Sequence, residues 1–224
     1  MPLPPATALR AAIVDLDGTL VDTLGDFSAA LDEMLRVLGH PAVPRDVAMR
    51  FIGQGSEHLI RCTLEHVGAP ASLYPPAWEH YQHAYRSLNG RFASVYPGVR
   101  EGLDALRASG LRLACVTNKP GEFASALLAA KGLEGFFEHV FGGDAFERKK
   151  PDALPLLRAC EALGAAPGAT LVVGDSRNDA AAARAAGCPV VLVTYGYNHG
   201  EPVRGVDADA YLDSMAGLAA LLAG

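Results

Sequence analysis

The chain has 224 residues, of which 50% are hydrophobic and 20% are charged, and its formal net charge is −6. This composition is typical of a globular protein with an apolar core, and an acidic chain without long Lys/Arg runs argues against a general nucleic-acid binder. No apolar run approaches the roughly 18 residues of a membrane span, and the first ten residues are too poor in apolar side chains for a signal peptide. We therefore expect a cytoplasmic protein that binds neither nucleic acid nor membranes.

The first predicted element is a buried strand that ends in two acids. Residues 11–14 (Ala-Ala-Ile-Val) are small or β-branched, and Asp15, Asp17 and Gly18 follow at once. Such a run predicts a strand whose carboxyl end opens onto a tight turn. Open α/β proteins bind their ligands at this edge of the sheet, and two neighbouring carboxylates need a cation or a proton between them. The pair is therefore a candidate functional site.

Residues 24–92 lack strand-like alternation and instead follow a helical period. Apolar side chains recur every three or four residues from Phe27 to Leu38, and Gly- and Pro-rich turns divide the remainder. The simplest interpretation is a small helical domain inserted after the first strand. We predict a helical-bundle domain at residues 23–94 and a core domain at residues 1–22 and 95–224.

From residue 96 onward, predicted strands and helices alternate regularly. The predicted helices span residues 99–109, 120–131, 152–163, 179–186 and 214–222, and the predicted strands span residues 111–116, 139–141, 170–173 and 189–193. Alternation at these lengths implies right-handed βαβ units. The predicted fold class is therefore α/β, with a Rossmann-like parallel sheet flanked by helices.

Polar residues follow each predicted strand, where they would meet at one edge of the sheet. They are Asp15, Asp17, Thr117, Asn118, Lys150, Asp175, Ser176, Asn178 and Asp179. Several acids in a partly dry crevice would repel one another strongly. A hard divalent cation with oxygen ligands relieves this repulsion, and Mg²⁺ keeps open positions for water and a substrate phosphate. The pattern therefore predicts a Mg²⁺ site, with Lys150 supplying further positive charge.

Structural roles could explain some of these residues on their own. Asp179 could cap a helix, and Thr117 and Asn118 could simply begin the helix at Pro120. Lys149 could be solvated beside Lys150, as paired lysines usually are. Capping needs do not account for both Asp15 and Asp17 followed by Gly and Thr.

The four strand-end segments resemble the motifs of the haloacid dehalogenase superfamily. Residues 15–19 (Asp-Leu-Asp-Gly-Thr) resemble the first motif, and Thr117-Asn118 the second. Lys150-Pro151 resembles the third motif, and residues 174–179 the fourth. All four occur in order, and the helical insertion after the first motif is similar to the family's type 1 cap domain. The resemblance covers essentially the whole chain.

This resemblance implies roles for the acids. Asp15 would be the nucleophile that attacks phosphorus and forms an aspartyl-phosphate. Asp17 would protonate the leaving oxygen and then activate water. Mg²⁺ would be held by the carboxylates of Asp15 and Asp175 and by the main-chain carbonyl of Asp17. Asp179, with Ser176, would orient these ligands rather than bind the ion.

The resemblance also implies a phosphate-binding set. Thr117 and the main-chain N–H of Asn118 would hold phosphate oxygens, and Lys150 would neutralise the charge that moves during transfer. The partner would be a small phosphorylated metabolite, and the cap would close over it through hinges near residues 22–24 and 92–97. The turn at residues 53–56 (Gly-Gln-Gly-Ser) is expected to face the substrate. Nothing in the sequence distinguishes a monomer from a homodimer.

Within the superfamily, three segments resemble the bacterial phosphoglycolate phosphatase family: residues 116–120, 173–179 and 194–198. The resemblance implies hydrolysis of 2-phosphoglycolate to glycolate and phosphate. Asp152 departs from this pattern, because relatives often carry His there, and this leaves fine substrate preference open. A cation should meet the substrate carboxylate, and the sequence does not rank the four candidates, Arg50, Arg61, Lys119 and Arg177.

Several other activities share parts of this pattern. A haloacid dehalogenase would not need Asp17, and a phosphonate hydrolase would need a cap lysine, whereas residues 24–92 contain none. A broader sugar-phosphate or pyrophosphate phosphatase, or a β-phosphoglucomutase-like phosphotransferase, remains an alternative. A non-catalytic sensor of phosphorylated metabolites is a further alternative, but the intact acids and Lys150 argue against it, because degenerate members usually lose one of them.

Overall fold

The structure, a computed structural model, describes residues 4–223, so the ends of the predicted core domain (residues 1–3 and 224) lie outside the described residues. The strands between these limits are β1 (Ala11–Val14), β2 (Val21–Asp22), β3 (Ser94–Val95), β4 (Arg112–Val116), β5 (His139–Phe141), β6 (Thr170–Gly174), β7 (Val190–Val193) and β8 (Ala210–Leu212). Six of them form a parallel sheet in the order β5-β4-β1-β6-β7-β8, and β2 pairs with β3 separately. The predicted Rossmann-like parallel sheet is confirmed.

The α-helices of the described chain surround this sheet or lie in the insertion. They are α1 (Leu24–Val37), α2 (Arg45–Met49), α3 (Ser56–His66), α4 (Tyr74–Leu88), α5 (Val99–Ala108), α6 (Gly121–Ala130), α7 (Leu154–Ala162), α8 (Arg177–Ala186) and α9 (Leu218–Ala223). Across residues 4–223, none of them has the length and apolar character needed to cross a membrane.

The register of the central strands brings their carboxyl ends to one level. Val14 of β1 lies beside Cys115 of β4 and Val173 of β6. The residues that follow these strands therefore leave the sheet at the same edge, and the main-chain N–H of Asp15 still donates to the Val173 carbonyl at 2.9 Å. This alignment places the candidate site.

Alternate residues of each strand face opposite sides of the sheet, as the pleat requires. On one side, Val14 and Cys115 belong to a buried cluster with residues of α5, α6 and α9. On the other, Ile13 and Ala114 pack with residues of α7 and α8. Because both faces are covered, strands β1 and β7 are apolar throughout, as the sequence pattern predicted.

The insertion forms a third apolar cluster. Helices α1 to α4 pack their apolar faces together, with α1 against α4, and their cluster includes Phe123 and Tyr197 from outside the insertion. The antiparallel pair β2 and β3 lies where the chain enters and leaves the insertion, and Val21 pairs there with Val95. Four helices fill the span that the helical period predicted; the division into two domains at residues 22/23 and 94/95 stays a prediction.

Several elements differ from the sequence expectation, and three of these differences have a clear local reason. Helix α8 begins at Arg177 rather than residue 179, because Ser176 and Asp179 form a capping box. The closing helix begins at Leu218, because a separate 3₁₀ turn capped by Ser214 precedes it. The sequence pattern missed the edge strand β8, whose three residues lie between acids and are too few for a periodic signal.

One buried acid holds the end of the insertion against its start. Asp26 is fully buried in the first turn of α1 and accepts hydrogen bonds from the main-chain N–H groups of Gly90 at 2.6 Å and Phe92 at 2.7 Å. It therefore ties together the two chain segments that were predicted as hinges.

We expect Asp26→Ala to lower the free energy of unfolding by about 2 kcal/mol, because two main-chain donors would lose a charged acceptor. The measurement is urea denaturation. Asp32→Ala, at an exposed position of the same helix, is the matched control and should change stability by less than about 0.5 kcal/mol. Equal stability of the two variants would contradict the role given to Asp26.

Candidate active site

Buried polar side chains that follow three of the strands lie in one crevice. Asp15 follows β1, Thr117 follows β4 and Asp175 follows β6, and each side chain is buried. Lys150 reaches the same crevice from the loop between β5 and α7. The structure therefore brings together the strand-end residues that the sequence grouped.

Lys150 is the central cation of this crevice. Its ammonium donates to Asp15 Oδ1 at 2.7 Å, to Asp179 Oδ1 at 2.7 Å and to the Val116 carbonyl at 2.8 Å. These contacts use all three of its N–H groups. The peptide bond that follows, to Pro151, is cis.

Asp179 is held by donors on both oxygens. Oδ1 receives Lys150, while Oδ2 accepts from Ser176 Oγ at 2.7 Å and from the main-chain N–H groups of Ser176 and Asp175 at 3.2 and 3.3 Å. The side chain thus caps α8 and positions Lys150 at once. The capping interpretation is therefore confirmed, and the role of Asp179 in orienting metal ligands stays a prediction.

Asp175 is fixed by a loop after β7. Its Oδ2 accepts from the main-chain N–H of Tyr197 at 2.6 Å, and its Oδ1 accepts from Thr19 Oγ1 at 3.2 Å. A Cβ atom on Gly18 or Gly196 would clash with the Asp175 side chain. These glycines are required because the two loops pass directly over the carboxylate.

The hydroxyl of Tyr197 contacts the first predicted hinge. It donates to Asp22 Oδ1 at 2.7 Å and accepts from the main-chain N–H groups of Thr23 at 2.7 Å and Leu24 at 2.9 Å. One residue therefore touches both Asp175 and the start of the insertion. The sequence analysis noted residues 194–198 only for their resemblance to a phosphatase family, and it did not predict the contacts of Tyr197 with Asp175 and with the start of the insertion.

Asp17 lies beside a second buried lysine. Lys119 Nζ is 3.1 and 3.4 Å from the two Asp17 carboxylate oxygens and donates to the Tyr85 hydroxyl at 2.5 Å. The ammonium also lies over the rings of Phe27 at 4.4 Å and Tyr85 at 4.8 Å from their centroids. Both aromatic residues come from the insertion, so this contact joins the insertion to the sheet edge.

Thr117 and Asn118 form the turn that leads into α6. The Thr117 hydroxyl accepts from the main-chain N–H of Lys119 at 3.2 Å. Asn118 Nδ2 donates to the carbonyls of Lys150 at 2.8 Å and Gly53 at 2.9 Å. The side chain of Asn118 is thus structural, and only its main-chain N–H is left for the predicted phosphate contact.

A cavity lies between the acids and the insertion. Its walls include Asp15, Asp17, Thr117 and Lys119 from the sheet edge, and the predicted cap turn contributes Gly53, Gly55 and Ser56. Asn178 Nδ2 also donates to the Gly53 carbonyl, at 3.3 Å, so two asparagines hold the turn over the site. Residues of the turn therefore line the cavity, and the expectation that they face the substrate stays a prediction.

Burial and charge set the protonation of the crevice. Burial raises the pKa of the Asp15 carboxyl to about 7 against the opposing effect of Lys150, and the Asp179 carboxylate adds to the rise. Burial likewise raises the pKa of Asp175 well above its ordinary value, with further increases from Asp179 and Asp15. Burial alone would lower the pKa of Lys150, but Asp15 and Asp179 outweigh it and raise that pKa. The crevice therefore needs more positive charge.

The donor set fits a hard divalent cation. One carboxylate oxygen from each of Asp15, Asp175 and Asp179 lies within 4.8 Å of the other two. All three are buried oxygen donors with a single ammonium among them. Asp179 already accepts four hydrogen bonds and Asp175 accepts two, and the assignment of Asp15 and Asp175 as the metal ligands stays a prediction. The Asp17 carboxylate pairs with Lys119, and its predicted main-chain contact to a metal stays a prediction.

Comparison with known proteins agrees with this geometry. The family model of the haloacid dehalogenase-like hydrolases matches residues 12–193. The chain belongs to this family. It is 43% identical over 218 residues to a phosphoglycolate phosphatase of Thiobacillus denitrificans, with 96% of this chain and 94% of that protein covered. It is 46% identical over 217 residues to one of Nitrosospira multiformis, with the same shares covered.

A solved crystal structure also resembles this chain over nearly its whole length. The crystal structure of a protein from Haemophilus somnus 129PT, named a "predicted phosphoglycolate phosphatase", superposes with a TM-score of 0.91 at 31% identity, and the match covers 96% of this chain and 98% of that one. The resemblance inferred from the four motifs is therefore confirmed, and the chain is a member of a phosphatase family that generally depends on a metal.

We expect Mg²⁺ to raise the melting temperature more at pH 8 than at pH 5. The folded-state pKa of Asp15 is about 7, above its unfolded value near 3.9. Its stabilising contribution is therefore full below about pH 4 and is lost as the pH rises through 7. A divalent cation replaces the lost proton. The measurement is thermal unfolding with and without Mg²⁺ at each pH.

Asp15→Asn is the control for this prediction, because an amide neither titrates nor attracts the cation. It should flatten the pH dependence of the metal-free protein and reduce the effect of Mg²⁺. An equal Mg²⁺ effect at both pH values in the unsubstituted protein would contradict the prediction.

Proposed function

We propose that this protein is a Mg²⁺-dependent phosphomonoester hydrolase that converts 2-phosphoglycolate to glycolate and phosphate. The observation that carries the proposal is the buried contact of Lys150 with Asp15 and Asp179, which sets carboxylates and an ammonium together in a crevice that adjoins the cavity at Asp15. The names of the relatives from Thiobacillus denitrificans and Nitrosospira multiformis support the substrate.

Asp15 is the proposed nucleophile. Its Oδ1 is held by Lys150, and no protein donor among residues 4–223 contacts its other oxygen, which lies in a crevice open to the cavity. That oxygen would form a bond to phosphorus while the bond from phosphorus to the leaving oxygen breaks. The product of this step is an aspartyl-phosphate, which water then hydrolyses.

Asp17 is the proposed acid and base. It lines the cavity two residues beyond Asp15, on the side where the insertion covers the site. In the first step it would give its proton to the leaving oxygen, and in the second it would take a proton from the attacking water. The two acids are given separate tasks because Asp15 is held by Lys150, whereas Asp17 lies beside Lys119.

The remaining residues would hold the phosphoryl group and the metal. Thr117, the main-chain N–H of Asn118 and Lys150 are the proposed phosphate contacts. The carboxylates of Asp15 and Asp175 and the main-chain carbonyl of Asp17 are the proposed ligands, oriented by Asp179 and Ser176. When bound, Mg²⁺ would neutralise charge on the phosphate and on the acids.

We also propose that residues 23–94 act as a cap that closes over the substrate. The contacts of Tyr197 with Thr23 and Leu24, and of Asp26 with Gly90 and Phe92, lie at the two predicted hinges. The asparagine contacts to Gly53 support a closed arrangement in which water is excluded from the first step.

A substrate panel tests the reaction. Phosphate release with Mg²⁺ would be compared for 2-phosphoglycolate, sugar phosphates, nucleotides and pyrophosphate. The highest kcat/KM should be with 2-phosphoglycolate. A higher value for sugar phosphates or pyrophosphate would favour the broader phosphatase, isomerised sugar would favour a mutase, and no release from any phosphomonoester would favour a sensor.

We expect Asp17→Asn to slow the first chemical step by about 100-fold or more with 2-phosphoglycolate, because its alkoxide leaving group needs a proton. The effect should be much smaller with 4-nitrophenyl phosphate, whose leaving group is stable as an anion. The measurement is quenched-flow detection of the phosphoenzyme. Asp15→Asn is the control and should lose at least about 10³-fold in turnover with both substrates. An equal effect of Asp17→Asn on the two substrates would contradict its role as an acid.

We expect Asp179→Asn to raise the Mg²⁺ concentration for half-maximal activity by about 10- to 100-fold, because residues that orient metal ligands have effects of this size. The variant keeps the shape of the side chain but removes the charge that faces Lys150. Ser176→Ala, which removes one of its donors, is the milder comparison and should have a smaller effect. An unchanged Mg²⁺ requirement in Asp179→Asn would show that Asp179 only caps the helix.

A further inference from the structure

The cavity contains a cation that the phosphoryl chemistry does not use. Lys150 has all its N–H groups engaged with Asp15, Asp179 and the Val116 carbonyl. Lys119, by contrast, lines the cavity with its ammonium directed to Asp17 and Tyr85. This second lysine lies on the leaving-group side of the site, because Asp17 is the proposed acid for the leaving oxygen.

The other cations named by the sequence lie outside this cavity. Arg61 is 56% exposed, pairs with Glu57 at 3.0 Å and stacks over Tyr74, beside a separate surface groove. The side chain of Arg50 lies against Gly200, and Arg177 is exposed at the start of α8. Only the side chain of Lys119, which is 1% exposed, reaches the cavity wall among these four candidates.

The contact of Lys119 with Asp17 is long, whereas its contact with the Tyr85 hydroxyl is short, at 2.5 Å. Its distances to the Asp17 oxygens are 3.1 and 3.4 Å, whereas Lys150 approaches Asp15 at 2.7 Å. Charge-assisted hydrogen bonds are usually 2.7–2.9 Å long. Asp17 and Tyr85 use two of the three N–H groups of the ammonium, and the aromatic faces of Phe27 and Tyr85 stabilise its charge without accepting a proton. One donor is left for a ligand.

The geometry points to Lys119 as the residue that recognises a second anionic group on the substrate, with Tyr85 from the insertion holding it in place. This inference rests on the proposed function and names its specificity determinant. Because Lys119 lies next to Asp17, an anion that reaches it must be one or two carbons from the leaving oxygen. The substrate class is therefore a phosphorylated short-chain hydroxy acid, with its carboxylate paired to Lys119.

The apolar walls around the ammonium support this assignment. Phe27, Ile52 and Leu59 line the same cavity, and all three are buried. In such surroundings the low dielectric strengthens the attraction between the ammonium and a second anion, and an uncharged leaving group lacks that attraction. A neutral sugar as leaving group would gain little binding energy from Lys119 and the apolar side chains around it.

A substrate comparison tests the inference without altering the protein. The rates are kcat/KM for 2-phosphoglycolate, for its amide and for ethyl phosphate, which keep the leaving oxygen but lack the charge. The unsubstituted enzyme should prefer 2-phosphoglycolate by about 100-fold, as a site built for a charged group rejects analogues without it. Equal rates for the three would overturn the inference while leaving the phosphatase function standing. No Mg²⁺-dependent hydrolysis of any of them would instead contradict the proposed function.

A charge deletion then identifies the residue. Lys119→Met should reduce the preference for 2-phosphoglycolate over ethyl phosphate to within about fivefold, because it removes the ammonium and keeps a long apolar chain. Arg61→Met is the matched control and should keep the full preference. An equal loss on both substrates in Lys119→Met would show that the lysine acts through Asp17 and would overturn the assignment.

Binding measured without turnover gives an independent readout. In the Asp15→Asn background, calorimetric titration with 2-phosphoglycolate and Mg²⁺ should show at least a tenfold weaker Kd when Lys119→Met is added. Titration with ethyl phosphate should show a much smaller change. If the two ligands weakened equally, or if neither changed, the assignment of the carboxylate to Lys119 would be wrong. Circular dichroism checks that each variant is folded.

Discussion

The site depends on the interaction of Lys150 with two carboxylates at the end of a parallel sheet. Three buried acids within a few ångströms would oppose folding if left alone, because each raises the cost of charge on its neighbours. A single ammonium reduces that cost without removing it. The remaining excess of negative charge is the reason that the same crevice suits a divalent cation and a phosphate together.

The sequence was sufficient for five of the six strands of the sheet and for grouping the polar residues at its edge. Buried parallel strands are short apolar runs, and polar residues such as Asp15 and Asp175 stand out where those runs end. Strand β8 was missed because three residues beside acidic neighbours carry no period. The contacts of Tyr197 with Asp175 and of Lys119 with Tyr85 span 22 and 34 residues, and nothing in the local pattern encodes which distant side chains will meet.

The same reasoning explains why the sequence did not rank the four candidate cations. From the sequence alone, a lysine that follows a strand and an arginine on a helix are equally plausible partners for a substrate carboxylate. The packing of α1 and α4 distinguishes the candidates, because Phe27 and Tyr85 enclose Lys119, whereas Arg61 stays exposed on α3. Specificity thus arises where the insertion meets the sheet, although the reactive acids belong to the sheet alone.

The contact that holds the cap turn over the site is made to the main chain of the turn. Asn118 and Asn178 both donate to the carbonyl oxygen of Gly53, whose φ of 107° favours glycine at that position. A carbonyl oxygen is common to every amino acid, so these two contacts do not depend on the side chains of Gln54 and Ser56. A substitution at either position therefore leaves both hydrogen bonds to Gly53 available, and the turn can change its side chains while keeping its main-chain attachment.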